Sequence, residues 1–268
     1  MSEVKEKIGI GIVTCNRQHY LEKLLKSVTD CNWAEFIIVN DGDKLKLPGY
    51  NYYIHNNEKN LGVGKSKNIA MKHLMDKGCD YIFIIEDDMV ILDDTVFDKY
   101  IQASKVSGIQ HFNFSQHGYG NKKMSISNEV VPAVKTVIDY GKLKVAMYQH
   151  CVGSFSMYTR KCIETAGYID ENYYNACEHV DHTYEIIKHG MHPPFWYFAD
   201  IEESWKYIGD HGWSMQTSFI CSRPDFSENV RQSDKVFLKK HGTVPGGVYQ
   251  STQQELVASL KLIKQKWT

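Results

Sequence analysis

Tyr81-Ile82-Phe83-Ile84-Ile85-Glu86-Asp87-Asp88 sets an apolar run directly before three carboxylates. A short run of β-branched and aromatic residues reads as a buried strand, so the acids stand at its carboxyl end. Upstream, Ser66 to Lys77 has helical spacing, and Tyr52 to His55 and Phe36 to Val39 read as strands. Behind the strand Ile8 to Thr14, Leu21, Leu24, Leu25 and Val28 give the i, i+3, i+4, i+7 stripe of an amphipathic helix. Strands alternating with helices predict an α/β fold with a Rossmann-like, mostly parallel sheet flanked by helices. Ligands of such sheets bind beyond the carboxyl ends of the strands. Those ends carry Thr14-Cys15-Asn16-Arg17, Asn40-Asp41-Gly42 and Glu86-Asp87-Asp88.

Downstream, Asp93 and Asp94 are placed to cap a helix whose apolar face is Val96, Phe97, Tyr100 and Ile101. Gly108 to Gly141 has no clear period and reads as irregular structure of the kind that shapes a pocket. Thr159 to Ala166 and Glu178 to His189 read as helices closed by Gly167 and Gly190. Past Trp213 the alternation fades, and Arg231 to Thr268 holds seven Lys and Arg against two acids, a local net of +5 (7 − 2). Within it, Leu256, Leu260 and Ile263 mark Gln253 to Lys266 as a basic amphipathic helix. Packing against the body is its first expected use, and peripheral membrane contact its second.

Composition narrows the field. A chain of 268 residues, 43% hydrophobic and 24% charged, is an ordinary globular protein, and its formal net charge of −1 provides no field for a polyanion. The longest apolar runs fall far short of the roughly 20 residues that span a bilayer, so no transmembrane segment is expected. Met1 to Lys7 is charged and lacks the features of a signal peptide, which points to the cytoplasm. Seven Cys, an odd number without a C-x-x-C pair, read as reduced thiols. Cys15 and Cys177 have no paired base, and no nucleophilic thiol role is assigned to them.

Four constellations carry chemistry. The hard oxygens of Glu86-Asp87-Asp88 suit Mg²⁺ or Mn²⁺, and such an ion offsets charge on a departing diphosphate. Asn60-Leu61-Gly62-Val63-Gly64-Lys65-Ser66-Lys67-Asn68 combines small residues, two Lys and a helix N-terminus, which suits an anion. It is neither a P-loop nor G-x-G-x-x-G. On the predicted helix at Glu178, the side chains of Glu178, Asp181, His182 and Glu185 share one face, which either is solvated or offers a carboxylate as general base. His211, in Gly209-Asp210-His211-Gly212-Trp213, sits beside an indole in a turn-like segment, and its imidazole suits Mn²⁺ better than Mg²⁺.

Taken together, these residues resemble the family 2 glycosyltransferases of the GT-A (nucleotide-diphospho-sugar transferase) fold. Ile10-Gly11-Ile12-Val13-Thr14-Cys15-Asn16-Arg17 is similar to the opening strand and nucleotide-binding turn of that family, and Ile37-Ile38-Val39-Asn40-Asp41-Gly42 to its second strand with a base-binding Asp. Asn60 to Asn68 resembles the N-x-G-x-x-x-x-R-N segment, with Lys67 in place of Arg. Glu86-Asp87-Asp88 resembles the D-x-D metal motif, and Val152 to Asp170 the acceptor-side strand and helix. The resemblance covers about residues 8 to 212.

The resemblance implies a metal-dependent, inverting transferase that moves a hexose or pentose from a nucleotide-diphosphate sugar, UDP-sugar favoured, to an acceptor hydroxyl. Thr14, Asn16, Arg17, Asp41, Lys67 and Asp87 would bind the nucleotide, and Asp88 and His211 the metal. The family's acidic site reads Glu-Asp where this chain has Glu178-His179. Three candidates for the base follow, in the order Glu178, Asp181, His179. Residues 1–90 form the nucleotide-sugar-binding half, 91–215 the acceptor-binding and catalytic half, and 216–268 a basic extension with the amphipathic helix. The acceptor is a glycan, glycolipid, protein or modified nucleic acid, in bacterial or phage glycan or glycoconjugate synthesis. Competing readings are a sugar-phosphate nucleotidyltransferase, which would release pyrophosphate, and a non-catalytic sugar-nucleotide-binding module.

Overall fold

The computed structural model describes residues 6–268 except 48, 50–51, 118–119, 212–217 and 219. The chain opens with β1 (Ile8–Thr14), α1 (Gln18–Ser27), β2 (Glu35–Asn40), β3 (Tyr53–Asn56), α2 (Val63–Asp76) and β4 (Tyr81–Glu86). Next come β5 (Met89–Ile91), α3 (Thr95–Ser107), β6 (His111–Asn113), β7 (Lys122–Met124), β8 (Val130–Pro132), β9 (Thr136–Asp139) and β10 (Lys144–Tyr148). The remainder is β11 (Phe155–Thr159), α4 (Arg160–Ala166), α5 (Glu178–Lys188), β12 (Phe198–Ile201), β13 (Ile208–Asp210), α6 (Phe226–His241) and α7 (Gln253–Trp267).

The main sheet has the order β3-β2-β1-β4-β11-β6, in which β1 to β4 are parallel and β11 runs antiparallel to both its neighbours. Strand period 2 sends alternate side chains to opposite layers. Phe83 and Ile85 join Leu21, Leu24 and Leu25 of α1 on one side, while Ile82 and Ile84 join Ala70, Met71 and Leu74 of α2 on the other. The chain leaves β1 for β2 and β3, then returns to β4 on the far side of β1. The order of connection therefore reverses between β1 and β4, and the crevice expected at such a switch point opens beside Thr14 and Glu86.

The first half follows the sequence reading, with α2 starting at Val63 rather than Ser66. Gly108 to Gly141 is not wholly irregular: it holds β6, the β7–β8 hairpin and β9, each of three or four residues, too short to show a period. Asp93, rather than Asp94, holds the start of α3, its carboxylate accepting from the Thr95 backbone N–H at 2.9 Å. α6 arises where the alternation fades, with only Ser233 and Phe237 buried, so its apolar stripe is too thin to read.

The packing of the last helix is the first of its two expected uses. Leu256, Leu260 and Ile263 are buried in the core shared with Tyr100 and Ile101 of α3, so the apolar stripe is not available to a lipid surface. Gly108 permits this approach: its φ is +77°, and a Cβ there would stand 2.8 Å from the Ile263 carbonyl oxygen. Among the described residues no helix is long and apolar enough to cross a membrane. Leu260→Ala is expected to cost about 2–5 kcal/mol in urea unfolding, and Leu262→Ala, on the exposed side, under about 0.5 kcal/mol. Equal effects would contradict the docking of this helix.

Candidate active site

A cleft of about 640 Å³ opens at the switch point, lined by Thr14, Arg17, Asp41 and Asp88 together with Asn60, Ser66 and Asn175. Thr14 ends β1, and its hydroxyl donates to Asp87 Oδ2 at 2.6 Å. The Arg17 guanidinium bridges two acids, with Nη1 2.9 Å from Asp88 Oδ2 and Nη2 on Asp87. Burial pushes Asp87 up to about 7; Arg17 and the Thr14 hydroxyl oppose the rise and Asp88 adds to it. The Asp41 carboxylate accepts from the backbone N–H groups of Leu61 (2.7 Å) and Gly62 (2.9 Å) and from Asn57 Nδ2 (2.6 Å). It thereby latches the loop that leads into α2, whose first turn reaches the cleft through Val63 and Ser66.

Three residues expected at the nucleotide do not line this cleft. Asn16, in a left-handed conformation (φ +55°), accepts the Asp43 N–H at 2.7 Å and shapes the turn. Asp87 is fully buried and orients Thr14 and Arg17. Lys67 is buried and has partners of its own, described below.

The metal expectation has a physical counterpart. Asp88 Oδ1 and His211 Nε2 are both buried without a hydrogen-bond partner among the described residues, and the His211 N–H donates to the Asp88 carbonyl at 3.0 Å, extending the β5–β13 ladder. A carboxylate and an imidazole left unsatisfied on two backbone-paired residues fit a divalent ion such as Mn²⁺. Burial, then the Lys23 ammonium, lowers the His211 pKa and favours the neutral, ligating ring. Tyr20 stacks on that ring at 5.2 Å. Trp213, expected beside it, lies outside the described residues. A second group, Asp181, Glu185 and His241, brings its ligand atoms within 4.8 Å of one another. The Lys240 ammonium already supplies positive charge there, 2.7 Å from Asp181 and 3.5 Å from Glu185.

Past Glu86 the cleft widens into a chamber of about 1150 Å³ that also contains Glu178 and His179. Lys67 Nζ sits at the partition, 2.8 Å from Glu86 Oε1, 3.1 Å from Glu178 Oε1 and 3.0 Å from the Gly153 carbonyl. Burial alone would push the Glu178 carboxyl up, but Lys67 and then His179 outweigh it and hold it well below the usual carboxylate range. Burial likewise opposes the Lys67 charge, and Glu86 and Glu178 overcome it, so its pKa stands above the ordinary ammonium value. His179 Nδ1 lies 3.1 Å from the same Glu178 oxygen.

Asp181 does not join Glu178 in the chamber. Three residues along α5 turn its side chain about 60° away. There it accepts from Tyr173 Oη at 3.0 Å and pairs with Lys240 and His241 of α6, each at 2.7 Å. His117 lies in the aperiodic stretch read as shaping a pocket and does line the cleft, whereas Asn175, in another stretch without periodicity, escaped the sequence reading.

Lys67→Met would leave the buried Glu178 and the half-buried Glu86 without their cation, an expected loss of about 3–5 kcal/mol in urea unfolding at pH 7. A carboxylate held low contributes stability that is present above its unfolded pKa and lost as pH falls through the folded value; without Lys67 the carboxyl is raised and protonation relieves it. The gap between wild type and variant should therefore narrow as pH falls below about 5. A small gap, or one independent of pH, would contradict the bridge.

Comparison with known proteins accords with this geometry. Residues 10–165 match the family model described as Glycosyl transferase family 2. The "Uncharacterized glycosyltransferase R363" of Acanthamoeba polyphaga mimivirus is 26% identical over 253 residues, 87% of this chain and 93% of that protein. Among solved structures, GalNAc-T7 with UDP, GalNAc and Mn²⁺ aligns with a TM-score of 0.54 at 12% identity, over 97% of this chain and 55% of that one, so the chain spans about half of that protein's length. The catalytic domain of Drosophila β1,4-galactosyltransferase 7 with xylobiose gives 0.51 at 12% identity, over 92% of this chain and 86% of that one. These two likenesses are of fold. With its sheet, its switch-point cleft and the match over residues 10–165, the chain belongs to glycosyl transferase family 2 and has the GT-A fold.

Proposed function

We propose that this chain transfers a hexose or pentose, with inversion, from a nucleotide-diphosphate sugar to an acceptor hydroxyl, with Mn²⁺ or Mg²⁺ held by Asp88 and His211. The observation that carries the reading is the two-ended cleft. Asp88, its Oδ1 unsatisfied, lines one end and is backbone-paired with His211, whose Nε2 is likewise unsatisfied, while Glu178 and His179 line the chamber at the other. UDP is the favoured nucleotide, and GalNAc-T7, of like fold, was solved with UDP and Mn²⁺. Glycan or glycoconjugate synthesis is the setting we favour, and the relative matched over nearly its whole length is viral. The acceptor class stays as broad as a glycan, glycolipid, protein or modified nucleic acid. All seven cysteines are free, which suits action in the reducing cytoplasm.

In this reading Thr14, Arg17 and Asp41 hold the nucleoside diphosphate. The first turn of α2 would turn the positive end of its dipole toward the phosphates. Arg17, now paired with Asp87 and Asp88, lies within the same cleft and supplies a guanidinium suited to phosphate oxygens. A bound divalent ion would supply the positive charge that offsets the departing diphosphate. Lys67 keeps Glu178 ionised, and the Glu178–His179 pair takes the proton of the attacking hydroxyl. Attack from the side opposite the diphosphate inverts the anomeric centre.

Nucleotide release from a panel of sugar nucleotides, with Mn²⁺, Mg²⁺ or EDTA, tests this. One donor is expected to turn over only with metal, and Asp88→Ala to lower the rate at least about 10²-fold. Turnover that persists in EDTA would contradict the metal role. Pyrophosphate release from a nucleoside triphosphate would favour a nucleotidyltransferase, and donor binding without turnover a binding module.

A further inference from the structure

We infer that His179, oriented by Glu178, is the group that takes the acceptor proton. The inference deepens the transferase reading above and rests on it. Glu178 is poorly placed to act by itself: its carboxylate is buried, and one oxygen already receives both Lys67 Nζ and His179 Nδ1, each at 3.1 Å. A carboxylate so engaged has little basicity left.

His179 stands the other way round. Its side chain is about a quarter exposed (24%) and lines the chamber, and Nε2 makes no hydrogen bond among the described residues. An ionised carboxylate only accepts, so the Nδ1 that faces Glu178 must carry hydrogen, and the neutral ring then presents a bare, accepting Nε2. The niche is built for this ring. A Cβ on Gly153 would lie 2.8 Å from His179 Cγ and 2.9 Å from Nδ1, so only glycine leaves the imidazole room beside Glu178. Cys151 Sγ lies 3.8 Å from the His179 carbonyl, bracing the backbone of the same turn. The order Lys67, Glu178, His179 is thus a relay of positioning. Lys67 holds Glu178 charged, Glu178 holds the tautomer, and Nε2 meets the substrate.

The step balances as follows. A lone pair of the acceptor oxygen forms the bond to the anomeric carbon while the bond from that carbon to the diphosphate oxygen breaks, its electron pair leaving with the diphosphate. The hydroxyl proton passes to His179 Nε2, giving an imidazolium that Glu178 stabilises through Nδ1–H. Water takes that proton after product leaves.

The test uses the full chain with Mn²⁺ and whichever donor of the panel above wild type hydrolyses fastest, water serving as acceptor. His179→Gln should lower kcat by about 10²- to 10⁴-fold, leaving donor KM and Mn²⁺ affinity unchanged, and His179→Asp should restore part of the rate. Glu178→Gln should lose less than His179→Gln. Two-bond ¹H–¹⁵N spectra of wild type, with His179 identified by its absence from the variant, should show the neutral ring protonated at Nδ1, a preference that Glu178→Gln removes. Wild-type turnover retained in His179→Gln, or a neutral ring protonated at Nε2, overturns the assignment while leaving the transferase reading intact. Absence of turnover by wild type with every donor overturns that reading and this inference together. Should His179→Gln fail to fold, as judged by circular dichroism, His179→Asn and the wild-type tautomer decide.

Discussion

The Lys67 ammonium, closed off from water between Glu86 and Glu178, ties the two ends of the active cleft together. Taking one charge out of water costs several kcal/mol unless partners replace the solvent, so the buried Lys67 and Glu178, with the half-buried Glu86, must hold a fixed geometry. Glu86 ends the central strand β4, whereas Glu178 begins α5, and Lys67 reaches both from the second turn of α2. One cation thereby sets the partition of the cleft. It also keeps Glu178 charged, helped by the positive end of α5, and through Glu178 it aims His179.

A second cation does the corresponding work at the donor end. Glu86, Asp87 and Asp88 follow one another where β4 ends, and their mutual repulsion would open the turn without a counter-charge. Arg17, at the end of the β1 turn, lies across Asp87 and Asp88. The carboxylates are thus arranged in advance, while Asp88 Oδ1 and His211 Nε2 keep unused lone pairs. Preorganisation of this kind spares a ligand the cost of arranging the site as it binds.

The α/β core was legible because β1, β2 and β4 are buried apolar runs and α1 carries a complete stripe of Leu21, Leu24 and Leu25. Acids and amides at the strand ends then located the cleft. What escaped reading depends on contacts distant in sequence. Lys67 and Glu178 are 111 residues apart, and no local pattern announces their pairing. The carboxylate face of α5 divides between the chamber and α6, and α6 was unreadable because it buries so little; Asp181 could not be separated from Glu178 until that helix was placed. His211 was placed only by its position in the chain, and the β5–β13 ladder supplies the physical reason it stands beside Asp88.

The most direct test of this account is an anomalous-scattering map, at the manganese edge, of crystals soaked in Mn²⁺ and UDP. The account predicts a manganese peak bonded to Asp88 and His211, with the Arg17 guanidinium moved off Asp88 toward the diphosphate. A map whose manganese lies at Asp181, Glu185 and His241, with nothing bound at Asp88, would contradict it.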